Sequence, residues 1–206
     1  MGVNVPRSTK SKPTVGSDQR SFLPTPDYLL ALDMSLEHTG YARMDVATGE
    51  ITKGLVEPKG LKGMARLAFL RDRILVLAEP THRTLVLIEG YAFGARGQAV
   101  VSLGELGGVI RVTLHDREIP YLEVPPTQVK RFVCLKGNAP KQLMLKDMLK
   151  RFNEDLDDDN VADALALMYL GRALVGCYEP TNDIQRQVVK DVLSTYWKAV
   201  PYAKAS

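Results

Sequence analysis

Two short apolar runs, each ending in a carboxylate, constrain this chain more than any other feature. They are Tyr28-Leu-Leu-Ala-Leu-Asp33 and Thr84-Leu-Val-Leu-Ile-Glu89. Both are continuous in apolar residues and too short for a buried helix. Runs of this kind read as strands buried on both faces of a sheet. Such strands need helices above and below them, so the chain must be of the α/β type.

The remaining periodicities supply the layers. Residues 41–46 place Ala42, Met44 and Val46 on one face of a second strand, and 50–56 reads as a third, joined through the Thr48-Gly49 turn. Between 60 and 79 the period changes: Leu67, Leu70, Ile74 and Leu77 mark a helix with one buried face, which Pro80 stops. A glycine-rich passage follows Glu89, and a long helix is expected over 96–116. Residues 119–124 read as a fifth strand. Pro125-Pro126 opens a short helix to Val133, and Asn138 is expected to cap another to about Lys150. Further helices are expected over 161–175 and 182–198. The order β-β-β-α-β-α-β-α-α-α predicts a mixed five-stranded sheet, three antiparallel strands and then parallel ones, flanked by helices.

At 206 residues the chain suits one domain with flanking segments. Residues 1–27, rich in Pro, Ser and Thr with no apolar period, are expected to form a flexible basic arm. The folded domain is expected over 28–176, and 177–206 as a tail with a helix. No apolar run approaches the ~18 residues that span a bilayer, and no signal-type h-region is present, so a cytoplasmic setting is expected. Cys134 and Cys177 have no zinc spacing and are too few for a disulfide framework. The net charge of +3 hints at a polyanionic partner without proving one.

Three acids stand out by position. Asp33 and Glu89 end buried strands, and Asp163 lies near the start of the apolar helix Asn160-Val-Ala-Asp163-Ala-Leu-Ala-Leu. A carboxylate among apolar neighbours is costly unless paired or bound to metal. If the first strand, the fourth strand and that helix are neighbours, the three acids converge and need a cation between them. Hard oxygen ligands favour Mg²⁺ or Mn²⁺, and two such ions ~4 Å apart serve phosphodiester hydrolysis. Taken singly, each acid is more often a cap or an ion-pair partner.

These residues resemble those of a known family. Asp33-Met-Ser-Leu-Glu-His-Thr-Gly-Tyr41 is similar to the first-strand motif of RuvC-like Holliday junction resolvases, members of the RNase H-like superfamily. Ile88-Glu89 with its glycine passage, Val124-Pro-Pro-Thr-Gln-Val-Lys130, Gly137-Asn-Ala-Pro-Lys141 and Val161-Ala-Asp163-Ala-Leu-Ala resemble four further motifs. The resemblance covers 28–174. It implies an RNase H-like fold and a homodimeric, metal-dependent endodeoxyribonuclease that nicks branched DNA. It also implies Asp33, Glu89 and Asp163 as ligands to two Mg²⁺ or Mn²⁺ ions. The family's fourth ligand, Asp or His, falls on Asn160, which brings an amide oxygen but no charge. Asn160 is therefore the expected fourth catalytic and metal position, with Asp159 as its competitor.

Charge points the same way. Between 125 and 151 stand Lys130, Arg131, Lys136, Lys141, Lys146, Lys150 and Arg151, with Asp147 as the sole acid. Residues 152–163 hold Glu154, Asp155, Asp157, Asp158, Asp159 and Asp163 and no base. A basic run beside an acidic cluster fits a phosphate wall next to a metal site, although a charge run is as often a solvated helix face. By resemblance, Lys130 and Lys141 are the expected phosphate contacts. Tyr91 and Phe93 are candidates to stack on opened bases, or to pack under the sheet. The family's stacking aromatic falls on Ala92. The long helix carries a second stripe, Val101-Gly104-Gly108-Val112, open to another helix: a homodimer partner or the chain's own last helix.

Three other readings stay open at this level: a different RNase H-like nuclease, a non-catalytic branched-DNA binder, and an actin-like ATPase. The last lacks a second glycine-rich phosphate loop.

Overall fold

The computed structural model describes residues 23–78, 83–90 and 98–196. Its strands are β1 (Tyr28–Asp33), β2 (Thr39–Asp45), β3 (Ile51–Val56), β4 (Thr84–Glu89) and β5 (Tyr121–Val124). Its helices are α1 (Gly63–Ala78), α2 (Gln98–Asp116), α3 (Pro126–Cys134), α4 (Lys141–Phe152), α5 (Asp159–Leu174) and α6 (Asp183–Tyr196). The five strands form one sheet in the order β3-β2-β1-β4-β5. β1 pairs antiparallel with β2 and β2 with β3, whereas β1 pairs parallel with β4 and β4 with β5. This is the mixed sheet that the element order predicts.

The period-2 alternation of the strands divides the core in two. Leu29, Ala31, Leu85, Leu87, Leu122 and Val124 meet helices α3 to α6 on one face. Leu30, Leu32, Val86 and Ile88 meet α1 and α2 on the other. The same alternation carries Asp33 and Glu89 onto the face of Ala31 and Leu87, the face that α5 covers.

α5 lies against β1, β2 and β4. Two glycines allow this close approach. A Cβ on Gly40, the β2 partner of Asp33, would collide with the backbone carbonyl of Asn160. A Cβ on Gly171 would strike Leu87 Cδ1. The connection into α5 is pinned by Glu154, which accepts from Tyr169 Oη at 2.9 Å and from Lys53 Nζ on β3 at 2.6 Å. Phe152, Tyr169 and Tyr178 pack against one another in tilted and edge-to-face pairs, with ring centroids 4.4 to 6.1 Å apart.

Several expected boundaries move. α4 begins at Lys141, with Pro140 at its N-cap and no side-chain cap, so Asn138 is not the cap. Pro140 disfavours helical backbone at Ala139, which delays the start. α5 begins at Asp159 rather than Val161, because Asp158 caps it, its Oδ1 accepting from Asn160 N at 2.9 Å and Val161 N at 3.0 Å. The expected arm of 1–27 ends sooner: Leu23 is buried, and its N–H donates to Leu174 O at 3.0 Å. α6 belongs to the core, burying Val188, Val189 and Val192. Residues 1–22, the rest of the expected arm, lie outside the described residues.

Replacing Gly40 with Ala should force β2 and α5 apart. The expected cost is roughly 1–3 kcal/mol, or several degrees of melting temperature for a chain of this size. Thermal denaturation followed by circular dichroism checks it, and a variant melting with the parent would show that the contact yields freely.

Candidate active site

The parallel register sets Leu32 opposite Ile88, so Asp33 and Glu89 leave the sheet side by side at its carboxyl edge. That edge is where open α/β sheets bind ligands. Asp163, in the second turn of α5, comes down beside them. One carboxylate oxygen from each of Asp33, Glu89 and Asp163 lies within 4.8 Å of the others, and all three residues are half-buried.

The electrostatics follow from this crowding. Burial first, and then the Asp163 charge, push Asp33 up to about 6. Burial, then the charges of Asp33 and Asp163, push Glu89 up to about 8, and its protonated carboxyl donates to Asp33. Asp163 is raised by burial and held down by Lys130 and Lys141. Three hard oxygen donors that resist ionising together are suited to a divalent cation, which would relieve the repulsion and the desolvation at once. The donor set therefore fits Mg²⁺ or Mn²⁺.

The basic residues divide. Lys130 on α3 and Lys141 at the start of α4 both act electrostatically on the cluster. Lys141 Nζ also lies 3.3 Å from Asp159 Oδ2. Arg131 pairs instead with Asp191 of α6 at 3.2 Å, and Arg151 with buried Asp147 at 3.6 Å, so these two brace the fold. Asn160 is half-buried, with its backbone packed over Gly40. Asp159 is not among the three clustered acids. Tyr91 and Phe93 lie outside the described residues.

Two contributors escaped the sequence reading. Asp158 as the cap was hidden in the run Asp157-Asp158-Asp159, where any of the three can serve. Gly40 falls just before the strand expected over 41–46; β2 starts at Thr39, which puts this lone glycine inside a strand, where it marks close backbone approach.

The raised acids make a prediction for the metal-free protein. Glu89 ordinarily titrates near 4.5 and Asp33 near 3.8, and both rise on folding. The folded state then binds extra protons. Their contribution to stability is full at low pH and is lost as pH climbs through about 6 and then about 8. Glu89→Gln should therefore melt above the parent in chelator at pH 8, by roughly 3–6 °C, with the gap closing towards pH 4. Adding Mn²⁺ should raise the parent's melting temperature and barely move the variant's. A variant less stable than the parent at pH 8 in chelator would contradict the repulsion.

Comparison with known proteins closes the case for family. Residues 29–169 match the family model described as crossover junction endodeoxyribonuclease RuvC. The RuvC of Prochlorococcus marinus (strain MIT 9303) is 27% identical over 149 residues, covering 69% of this chain and 96% of that protein. The RuvC of Caldicellulosiruptor saccharolyticus is 30% identical over 147 residues, covering 68% and 88%. A Thermus thermophilus RuvC structure superposes with a TM-score of 0.55 at 21% identity, over 74% of this chain and 99% of that one. The same protein in complex with a Holliday junction substrate gives 0.57 at 19% identity, over 74% and 98%. These likenesses confirm the RNase H-like fold, and the family match, spanning both acid-bearing strands and the start of α5, shows that the chain belongs to the RuvC family of crossover junction endodeoxyribonucleases.

Proposed function

We propose that this protein is a metal-dependent, structure-selective endonuclease that resolves four-way DNA junctions by hydrolysing phosphodiester bonds. One observation carries the reading. In a chain of this family, three carboxylates meet within 4.8 Å at the carboxyl edge of two adjacent parallel strands. A non-catalytic branched-DNA binder would have no use for so costly a cluster.

Asp33, Glu89 and Asp163 are the proposed ligands of two Mg²⁺ or Mn²⁺ ions. Bound there, the ions supply an activated water and positive charge at the leaving oxygen. The chain's own groups do the rest. Asp33 couples to both other acids of the proposed ligand set, through a hydrogen bond with Glu89 and repulsion from Asp163. Asn160, three residues before Asp163 on the same helical face, offers a neutral amide oxygen. Lys130 and Lys141 hold the phosphate at the scissile bond by charge. The products are 5′-phosphate and 3′-hydroxyl ends.

A homodimer is part of the proposal. Val101 and Val112 on α2 are 64% and 60% exposed, and Gly104 and Gly108 between them face open space. A second chain is favoured over the chain's own last helix, because α6 packs on α3, α5 and β5 on the opposite face of the sheet. A two-fold pairing of α2 would present two active sites to one symmetric junction. No helix among the described residues is long and apolar enough to cross a membrane. Two free thiols and a DNA substrate suit a cytoplasmic setting.

Incubation with a synthetic four-way junction and a matched linear duplex, with and without Mg²⁺, tests the reading. Asp33→Asn, Glu89→Gln and Asp163→Asn are each expected to abolish cleavage of the junction while leaving its binding largely intact. Normal cleavage by any of the three would remove that residue from the site.

Lys130→Ala and Lys141→Ala should each slow cleavage and reduce the salt slope of binding by roughly one counterion. Unchanged slopes in both would return this face to mere solvation.

Asn160→Asp adds a charge to the proposed ligand set. It should lower the Mg²⁺ concentration for half-maximal cleavage, and an unmoved curve would take Asn160 out of the site.

A further inference from the structure

Both helices that border the acid cluster begin there, and their first residues meet. Lys141 opens α4 and Asp159 opens α5, and their charged atoms lie 3.3 Å apart. We propose that Asp159 is a positioning residue, which holds Lys141 at the rim of the acid cluster for the scissile phosphate and does not itself bind metal. The inference rests on the junction-cleaving reading and deepens it.

Three observations carry it. First, the carboxylates close enough together to share an ion are those of Asp33, Glu89 and Asp163; among the described residues Asp159 does not join them. Asp159 is four residues before Asp163 on one helical face, and its Oδ2 is engaged by Lys141 Nζ. Second, the fields of Asp33 and Asp163 reach the Lys141 ammonium. The ammonium therefore lies within electrostatic range of the cluster. Third, the pair is open to water, with side chains 69% and 41% exposed. An exposed ion pair is weak and exchangeable. Lys141 can therefore pass from carboxylate to phosphate without leaving a buried charge unpaired.

The physical role is preorganisation. A lysine side chain has four rotatable bonds, and fixing it at the moment of reaction opposes catalysis. Asp159 restricts that freedom before the substrate arrives. Its own place is secure: Asp158 takes the capping hydrogen bonds of α5, which leaves the Asp159 carboxylate for Lys141. The ligand position at Asn160 is neutral, and the neighbouring charge is committed to the lysine.

The test is a double-mutant cycle on the full chain with Asp159→Asn, Lys141→Ala and the double variant. Single-turnover cleavage of a four-way junction is measured at saturating protein and Mn²⁺. Mn²⁺ binding without DNA is measured separately by calorimetry. Asp159→Asn is expected to slow cleavage about fivefold to tenfold, and the double variant to cut at the rate of Lys141→Ala alone. Its Mn²⁺ affinity is expected to stay within about twofold of the parent's. A roughly tenfold loss of Mn²⁺ affinity would make Asp159 a ligand and overturn the proposal. Effects that multiply in the double variant, or an Asp159→Asn rate equal to the parent's, would overturn it too, while parental cleavage in the same assay upholds the functional reading. A parent that binds Mn²⁺ but leaves the junction uncut would overturn that reading and this role for Lys141 with it.

Discussion

Leu32 faces Ile88 across the parallel pairing of β1 with β4, and that register brings Asp33 and Glu89 out of the sheet together. A slip of one residue would turn one of the two acids to the α1–α2 face, since successive side chains alternate. Register is therefore the constraint on which the site depends. It is held by the continuous apolar runs of both strands, buried on both faces. The helices on each face exist to bury those runs, and α5 brings the third acid as it does so.

The cluster works against the fold that builds it. Burial and mutual repulsion drive Asp33 to about 6 and Glu89 to about 8, so at neutral pH the metal-free site carries unfavourable charge. Lys130 and Lys141 offset part of it from the rim. The rest is borne by the hydrophobic core and by the contacts that keep α5 in place. Gly40 lets its first turn press on β2, Asp158 caps it, and Glu154 ties its approach to β3 and Tyr169. A bound cation would relieve the conflict, and this is the physical link between a crowded acidic site and metal-dependent chemistry.

Much of this was legible in the residues. Apolar runs without polar alternation identify β1 and β4 as central strands, and the acids at their ends are visible without any structure. The 3-4 spacing of Leu67, Leu70 and Ile74 gives α1, and all three are buried as that spacing requires. Helix starts were less legible. Asn138 looks like a cap, but the proline two residues on sets the start of α4. Val161 looks like the first helical residue, yet the Asp run before it already turns. Leu23 stands alone among prolines and serines, and nothing local says that it reaches Leu174. Pairings across space, such as Lys141 with Asp159 or Lys53 with Glu154, join residues 18 and 101 positions apart and leave no periodic trace. Helix α6 is amphipathic, but only packing shows that its valines complete the core under α3.

The chemistry depends on the three acids holding metal as one site. Crystals grown with Mn²⁺ and measured for anomalous scattering answer this directly. Anomalous peaks are expected between Asp33, Glu89 and Asp163, within about 2.0–2.3 Å of their carboxylate oxygens and about 4 Å apart if two ions bind. Saturating Mn²⁺ with no peak among these residues, or a peak held elsewhere on the chain, would contradict that expectation.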